Sequence, residues 1–161
     1  MIAGNSLQTA TPGNRASLIA LLNLVHLPVV DLPQILSNFI VHQEAGEVNG
    51  SVGLEISGSC ALLRSLAVAP DKQGTGLGKV LYRAAEEFAA RQGVSDLYLL
   101  TTTAADFFAR RGFVPLNRDH VPVAIRNMAQ FQGLCPASAT LMHRRLNSYF
   151  DVGSQRNPSD Q

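Results

Sequence analysis

The chain has 161 residues, 46% of them hydrophobic and 16% charged, with a formal net charge of +1. That length and apolar content suit one ordinary globular domain rather than two. The near-zero charge gives no electrostatic case for a nucleic-acid partner or an acidic membrane surface.

Residues 7–10 read as a short first strand, and Thr11-Pro12-Gly13-Asn14 as a turn that caps a helix. Leu18, Leu21, Leu22 and Val25 then fall on one helical face. The apolar run 18–30 is broken by Asn23, His26 and Pro28 and is shorter than the roughly 20 residues a bilayer span needs. Arg15 is the sole charge before it, which is not a signal-peptide pattern, so it reads as a core helix. A second short helix is expected over 32–37, with Asp31 as its cap and Pro33 in its first turn. Residues 39–43 are the next candidate strand.

Alternation over 48–56, the turn Ser57-Gly58-Ser59 and the apolar run 60–68 predict an antiparallel hairpin. Pro70 ends it. Helical spacing resumes after Gly76 through Leu77, Val80, Leu81, Ala84, Ala85 and Phe88 and stops near Gln92-Gly93. Residues 97–101 read as a buried strand, 104–111 as a short helix ended by Gly112, and 113–116 as a strand that 140–146 can pair with. Between these last two, Val121, Ile125, Met128, Ala129 and Gln132 are spaced for one more helix after Pro122. The tail 147–161, rich in Ser, Asn, Asp, Gln and Pro, is expected to fray, leaving 1–146 as the folded domain.

Cys60 and Cys135 belong to no Cys-x-x-Cys pattern, and His26, His42, His120 and His143 show no ligand spacing, so no metal site is expected. A reducing cytoplasm is the default for such cysteine usage. The chemistry therefore rests on the glycine loop, Gln73-Gly74-Thr75-Gly76-Leu77-Gly78-Lys79, which sits between an apolar strand and a helix. A helix opened this way leaves backbone N–H groups unpaired and directs partial positive charge outward, so a pyrophosphate is the expected occupant. Glycines at 74, 76 and 78 alternate strictly, which does not fit the Gly-x-Gly-x-x-Gly dinucleotide fingerprint. Val80 stands where a P-loop needs Ser or Thr, and Gln73 where it needs glycine.

What does fit is Gln73-x-x-Gly76-x-Gly78, and here the chain resembles the GNAT family of N-acetyltransferases, in which such a motif binds the pyrophosphate of acetyl-coenzyme A. A glycine-rich turn made only for packing is the plain alternative. The family's second motif, Asn-x-x-Ala-x-x-x-Tyr-x-x-x-Gly-Phe, is matched in order and separation by Thr101-x-x-Ala104-x-x-x-Phe108-x-x-x-Gly112-Phe113. The resemblance spans about residues 7–146. Gly53-Leu54-Glu55, Leu63-Arg64-Ser65-Leu66-Ala67-Val68 and Phe131-x-x-Leu134-Cys135-Pro136-x-Ser138-Ala139 are similar to the branch encoded in arsenic-resistance operons, often described as amino-acid N-acetyltransferases.

The resemblance implies an α/β fold, with a mixed central sheet, a splayed strand pair and flanking helices. It implies acetyl-coenzyme A as co-substrate. Leu66, Ala67 and Val68 would pair with pantetheine, and Gln73, Gly74, Thr75, Gly76, Leu77, Gly78 and Lys79 would cradle the pyrophosphate. Thr101, Ala104, Phe107 and Phe108 would complete the cofactor contacts. A backbone N–H at Leu66 or Ala67 would stabilise the developing oxyanion. Phe108 stands at the family's tyrosine position and cannot protonate the leaving thiolate. No acid lies on 61–68, so Glu55 on the preceding strand is the candidate base, with an exposed strand carboxylate as the plain alternative.

Arg64 alternates in phase with Leu62, Leu66 and Val68, while Ser65 is expected to face the other way. Arg64 is either a two-pronged clamp for an acceptor anion or half of a buried ion pair. Arg126, on the expected 121–132 helix, is a second anion contact or a solvated surface charge. The reaction implied is acetyl transfer to the primary amine of a small, anionic, amino-acid-like acceptor, an arsenical or phosphinate analogue among them. A coenzyme-A-binding sensor without catalysis and a general amine or peptide N-terminal acetyltransferase are the alternatives. The expected partner is that small molecule, with a homodimer as a possible assembly.

Overall fold

The computed structural model describes residues 7–146; the expected polar tail lies outside the described residues. The elements run β1 Leu7–Thr9, α1 Arg15–Leu24, β2 Phe39–Glu44, β3 Glu47–Ser57, β4 Cys60–Val68, α2 Leu77–Arg91, β5 Asp96–Thr101, α3 Ala105–Ala109, β6 Val114–Pro115, α4 Val123–Arg126 and β7 Thr140–Arg145. The strands are ordered β1-β2-β3-β4-β5-β7-β6 in a mixed sheet, β4 and β5 running parallel. This is the α/β architecture with a mixed central sheet and flanking helices that the family resemblance implies. Residues up to Glu55 together with Leu63–Ala85 form one compact unit, and Ile56–Leu62 together with residues from Glu86 onward form another. The chain passes from one to the other inside β3, β4 and α2, not through a linker.

In the first unit β1 pairs antiparallel with β2, and β2 with β3 across a bulge at His42 and Gln43. Thr11 and Asn14 brace the entry to α1, the Thr11 N–H donating to Asn14 Oδ1 at 2.8 Å. The helix then buries Leu18, Leu21 and Leu22 in one cluster with Phe39, Val41 and Val48. Each such side chain removed from water contributes about 1.5–3 kcal/mol.

The helix expected over 32–37 is not formed. Leu32 and Leu36 still reach the core, but the Arg15 guanidinium donates to the carbonyls of Pro33 at 2.6 Å and Leu32 at 3.4 Å. Those carbonyls would have opened the helix's own hydrogen-bond ladder. Asp31, the expected cap, is drawn elsewhere, to Arg64.

Two glycines of β3 are required by close approach. A Cβ at Gly50 would lie 2.8 Å from Leu81 and 2.9 Å from Leu77 of α2, and one at Gly53 would lie 2.5–2.7 Å from the Phe39 ring.

In the second unit β5 pairs with β4 over Cys60–Leu62 and with β7 along its whole length, and β6 closes on β7. The helix expected over 121–132 is split. Only Val123–Arg126 is α-helical, and Gln130–Leu134 forms a wider turn in which Gly133 has φ +136°. Gln132 Nε2 takes the Arg126 carbonyl at 2.7 Å, a carbonyl that a continuous helix would have given to the N–H of residue 130. The apolar spacing nonetheless holds, since Val121, Ile125 and Met128 pack with Leu62, Tyr98 and Leu141. Among the described residues no helix is long and apolar enough to cross a membrane.

Candidate active site

Between β4 and α2 the chain makes a single 3₁₀ turn at Pro70–Lys72 and then the glycine loop. Gly74 and Gly76 both take positive φ, +81° and +90°, where a Cβ is penalised, and no protein atom lies within 4 Å of the space a Cβ would fill. The loop is braced from within. Gln73 Nε2 donates to the Val68 carbonyl at 3.1 Å, and Thr75 Oγ1 donates to the Lys72 carbonyl at 2.5 Å. The first helical bond runs from the Val80 N–H to the Gly76 carbonyl at 3.2 Å. The N–H groups of Leu77, Gly78 and Lys79 therefore precede the ladder and have no acceptor within the helix. The chemistry of such a turn suits an anion, and Gln73 and Thr75 hold its backbone in shape.

On β4, three residues upstream of that loop's anchor at Val68, the strand departs from regularity. Ser65 has φ +55°, a left-handed residue in mid-strand, and its carbonyl accepts from the buried Ser51 hydroxyl at 2.7 Å. Strict alternation is broken there. Ser65 does not face away from Arg64, because Arg64 Nε donates to Ser65 Oγ at 3.1 Å. The phase argument linking Arg64 to Leu66 and Val68 thus does not survive the kink.

Arg64 itself is sealed, with no exposed side-chain surface. Its two terminal nitrogens grip Asp31 in a parallel pair, Nη1 to Oδ2 and Nη2 to Oδ1, both at 2.7 Å. Nη1 also donates to Glu55 Oε1 at 2.7 Å, and the guanidinium lies 5.8 Å from the Phe39 ring centre. Glu55 is thus neither free nor lost, since 28% of its side-chain surface stays exposed. The sequence carried part of this, because an arginine inside an apolar run requires a buried counter-charge. Asp31 was the missed partner, its place in sequence suggesting a cap.

The second motif lies in the other unit. Thr101 Oγ1 accepts from the Ala104 N–H at 2.9 Å, fixing the turn into α3. Phe108 is buried edge-on against Phe107 and Phe113, with ring centres 5.1 and 5.5 Å apart, and Arg111 covers the Phe107 face at 3.7 Å. Gly112, at φ +92°, ends the helix as its position predicts. Arg126 is exposed on α4, and its Nη2 donates to the Val121 carbonyl at 3.3 Å.

A titratable group the sequence did not bring together lies on β5 and β7. His143 Nε2 meets Asp96 Oδ1 at 2.7 Å, and Tyr98 lies against His143 with ring centres 4.8 Å apart. Burial opposes the charge on Asp96, but hydrogen bonds from His143 and Ser95 outweigh it and hold the carboxyl below its usual range. Burial, then the neighbouring Cys60 and Asp96, pushes the Tyr98 phenol up to about 12. Among the described residues no group of three or more His, Cys, Asp or Glu is placed to hold a metal ion.

A mixed sheet with this strand order carries a strand–glycine loop–helix unit and a later strand–turn–helix closed by Gly-Phe. The chain belongs to the GNAT acetyltransferases, for residues 36–115 match the family model described as an acetyltransferase (GNAT) domain. Among curated proteins, an amino-acid acetyltransferase of Ralstonia nicotianae is 35% identical over 106 residues, 63% of this chain and 23% of its own length. An enzyme of the same name from Neisseria meningitidis serogroup A is 28% identical over 77% of this chain and 28% of its own length. The chain thus spans about a quarter of the length of these relatives. Among solved structures, N-acetylglutamate synthase from Neisseria gonorrhoeae, complexed with coenzyme A and N-acetyl-glutamate, superposes over 88% of this chain and 35% of its own, with TM-score 0.75 and 25% identity. A GNAT-family acetyltransferase from Staphylococcus aureus shares the fold alone, with TM-score 0.69 and 15% identity over 87% of this chain and 98% of its own.

Proposed function

We propose that the chain is an acetyl-coenzyme-A-dependent N-acetyltransferase acting on the primary amine of a small, amino-acid-like acceptor. The observation that carries this reading is the N-terminus of α2, where Leu77, Gly78 and Lys79 present N–H groups with no acceptor inside the helix. A pyrophosphate satisfies all three and is favoured by the helix dipole. Leu66, Ala67 and Val68 supply backbone groups for pantetheine, and the N–H at Leu66 supports the negative charge that develops on the thioester oxygen. The braces from Gln73 and Thr75 keep the loop in shape before the carrier arrives, which lowers the ordering cost of binding. Thr101, Ala104, Phe107 and Phe108 form the second carrier-binding element by the same reading.

The finer part of the proposal is an acceptor with an anionic group, an arsenical or phosphinate amino-acid analogue among them. Among the described residues Arg126 makes no ion pair, and its exposed guanidinium can approach such a group. Arg64 reaches an acceptor anion only by giving up Asp31, so its part is to hold carboxylates in place. The similarity to N-acetylglutamate synthase of Neisseria gonorrhoeae, complexed with coenzyme A and N-acetyl-glutamate, supports an acidic acceptor.

The test is thiol release from acetyl-coenzyme A with L-glutamate, a phosphinate analogue of glutamate, an arsenical amino acid, a polyamine and a peptide N-terminus as acceptors. Release above background with the acidic amino acids, and not with the polyamine, is expected. Binding of acetyl-coenzyme A with no release for any acceptor would instead establish a sensor, a reading favoured by Phe108, which offers no proton at the tyrosine position.

A further inference from the structure

The glycine loop is gripped at both ends by two consecutive residues of β3, Asn49 and Gly50. In the pairing of β2 with β3, His42 stands opposite Gly50 and Gln43 opposite Val48, so Asn49 is the extra residue of the bulge and faces no partner on β2. Its backbone carbonyl accepts from the Ala69 N–H at 2.9 Å. Ala69 is the last residue before the 3₁₀ turn that leads into the loop. Gly50 acts at the other end. The space of its absent Cβ is taken by Leu77, the first residue of α2, and by Leu81 one turn on, at 2.9 and 2.8 Å.

The side chain of Asn49 is tied on both sides. His42, only 3% exposed, meets Asn49 Oδ1 through Nδ1, and because an amide oxygen only accepts, that ring nitrogen carries the proton. The amide nitrogen of Asn49 turns to Glu44, which bridges Lys72 at 3.4 Å. Lys72 first and the Asn49 amide next hold the Glu44 carboxyl below its ordinary range. Lys72 in turn accepts the Thr75 hydroxyl on its carbonyl, inside the loop. A polar chain thus runs from a buried histidine to the loop through one bulged asparagine.

We propose that Asn49, with Gly50 beside it, is a positioning residue for the carrier: the bulge sets where the loop begins and where α2 begins, and so aims the N–H groups of Leu77, Gly78 and Lys79 before the pyrophosphate arrives. This rests on the reading above that those groups receive the pyrophosphate. The extra residue lets one stretch of β3 keep its register with β2 while delivering Asn49 to Ala69 and Gly50 to Leu77. Gln73 and Thr75 brace the loop from within, whereas Asn49 and Gly50 fix it to the strand beneath. A loop already in shape gives up less freedom when its ligand binds.

The test is coenzyme A affinity by calorimetry, set beside urea unfolding of each variant. Asn49→Ala keeps the backbone bond and removes the side-chain bonds. It should raise the dissociation constant for coenzyme A about tenfold, near the worth of one well-made hydrogen bond. Gly50→Ala should raise it at least as much, because Leu77 or the strand has to move. Asn49→Asp keeps the acceptor for His42 but sets a carboxylate against Glu44, so it too should weaken coenzyme A. Adding Glu44→Gln should then restore most of the loss, because an amide faces the new carboxylate. In turnover of L-glutamate, the Michaelis constant for acetyl-coenzyme A should rise in Asn49→Ala while kcat and the constant for L-glutamate hold. The affinity measurements decide the matter whether the chain is an enzyme or a sensor. Lower urea midpoints with wild-type affinity for coenzyme A would make Asn49 and Gly50 ordinary supports of the β2–β3 hairpin and overturn the proposal, leaving the carrier reading intact. If the wild-type chain itself fails to bind coenzyme A, the carrier reading falls and this inference with it.

Discussion

Ser65 holds a backbone conformation that β-strands avoid, and two side chains account for its doing so. A left-handed residue other than glycine costs about 1–2 kcal/mol. Ser51, itself fully buried, donates to its carbonyl, and Arg64 donates to its hydroxyl. Removing the Ser51 hydroxyl leaves a buried carbonyl without that donor, which costs about 1–3 kcal/mol. Ser51→Ala should therefore lower the urea midpoint by that free energy at an unchanged slope. It should also weaken acetyl-coenzyme A, because Leu66–Val68 follow directly on the residue it releases. A variant with wild-type midpoint and wild-type carrier affinity would show that the kink holds itself. Nothing in the sequence announced this residue, since serine in an apolar strand carries no signature of positive φ.

At the scale of the element, β3 shows how a backbone is chosen by what lies on it. Gly53→Ala puts a Cβ within 2.5–2.7 Å of three atoms of the Phe39 ring, so the ring or the strand must move. Overpacking of this kind costs about 1–3 kcal/mol. Thermal unfolding should register the loss, and Phe39→Leu in the same chain should restore part of it by removing the ring edge. The elements with a strong period, α1, α2, β3 to β5 and β7, were legible because their apolar spacing and the stops at Pro70 and Gly93 agree. The 32–37 segment was misread for a definite reason. A cap residue and a first-turn proline are local signals, and they lost to Arg15 taking the carbonyls and Arg64 taking Asp31. The 121–132 segment kept its buried face and lost its continuity, because spacing reports which side chains face inward and not which carbonyl Gln132 occupies. The glycine loop was readable because its requirement is conformational and falls on glycines. The Arg64 cluster was only half readable, because its third member is 33 residues away.

For the whole molecule, the pH dependence of stability is set in part by Asp96, which His143 bonds, and by Tyr98, all in the second unit. The Tyr98 phenol titrates near 12 in the folded chain against about 10 when exposed. A raised acid of this kind stabilises fully below the unfolded value, so its contribution is lost as pH rises from about 10 to 12. Tyr98→Phe should flatten that limb, and the tyrosinate absorbance appearing near pH 12 should fall by that residue's share. Asp96 has the opposite sign. Its folded carboxyl lies below the ordinary 3.8, so its contribution is present above that value and fades as pH falls below about 4. Asp96→Asn should be less stable than wild type at neutral pH, and the two unfolding midpoints should converge as the pH is lowered. The convergence separates a charge effect from lost packing, because a packing defect would keep the two curves a constant distance apart. The partner gives a second control. In His143→Ala the largest of the contacts that together offset burial is gone, so the Asp96 carboxyl should move up toward its ordinary range. The part of the acid limb that Asp96 contributes should then shrink or vanish, and Asp96→Asn made in that background should no longer lower the midpoint at neutral pH.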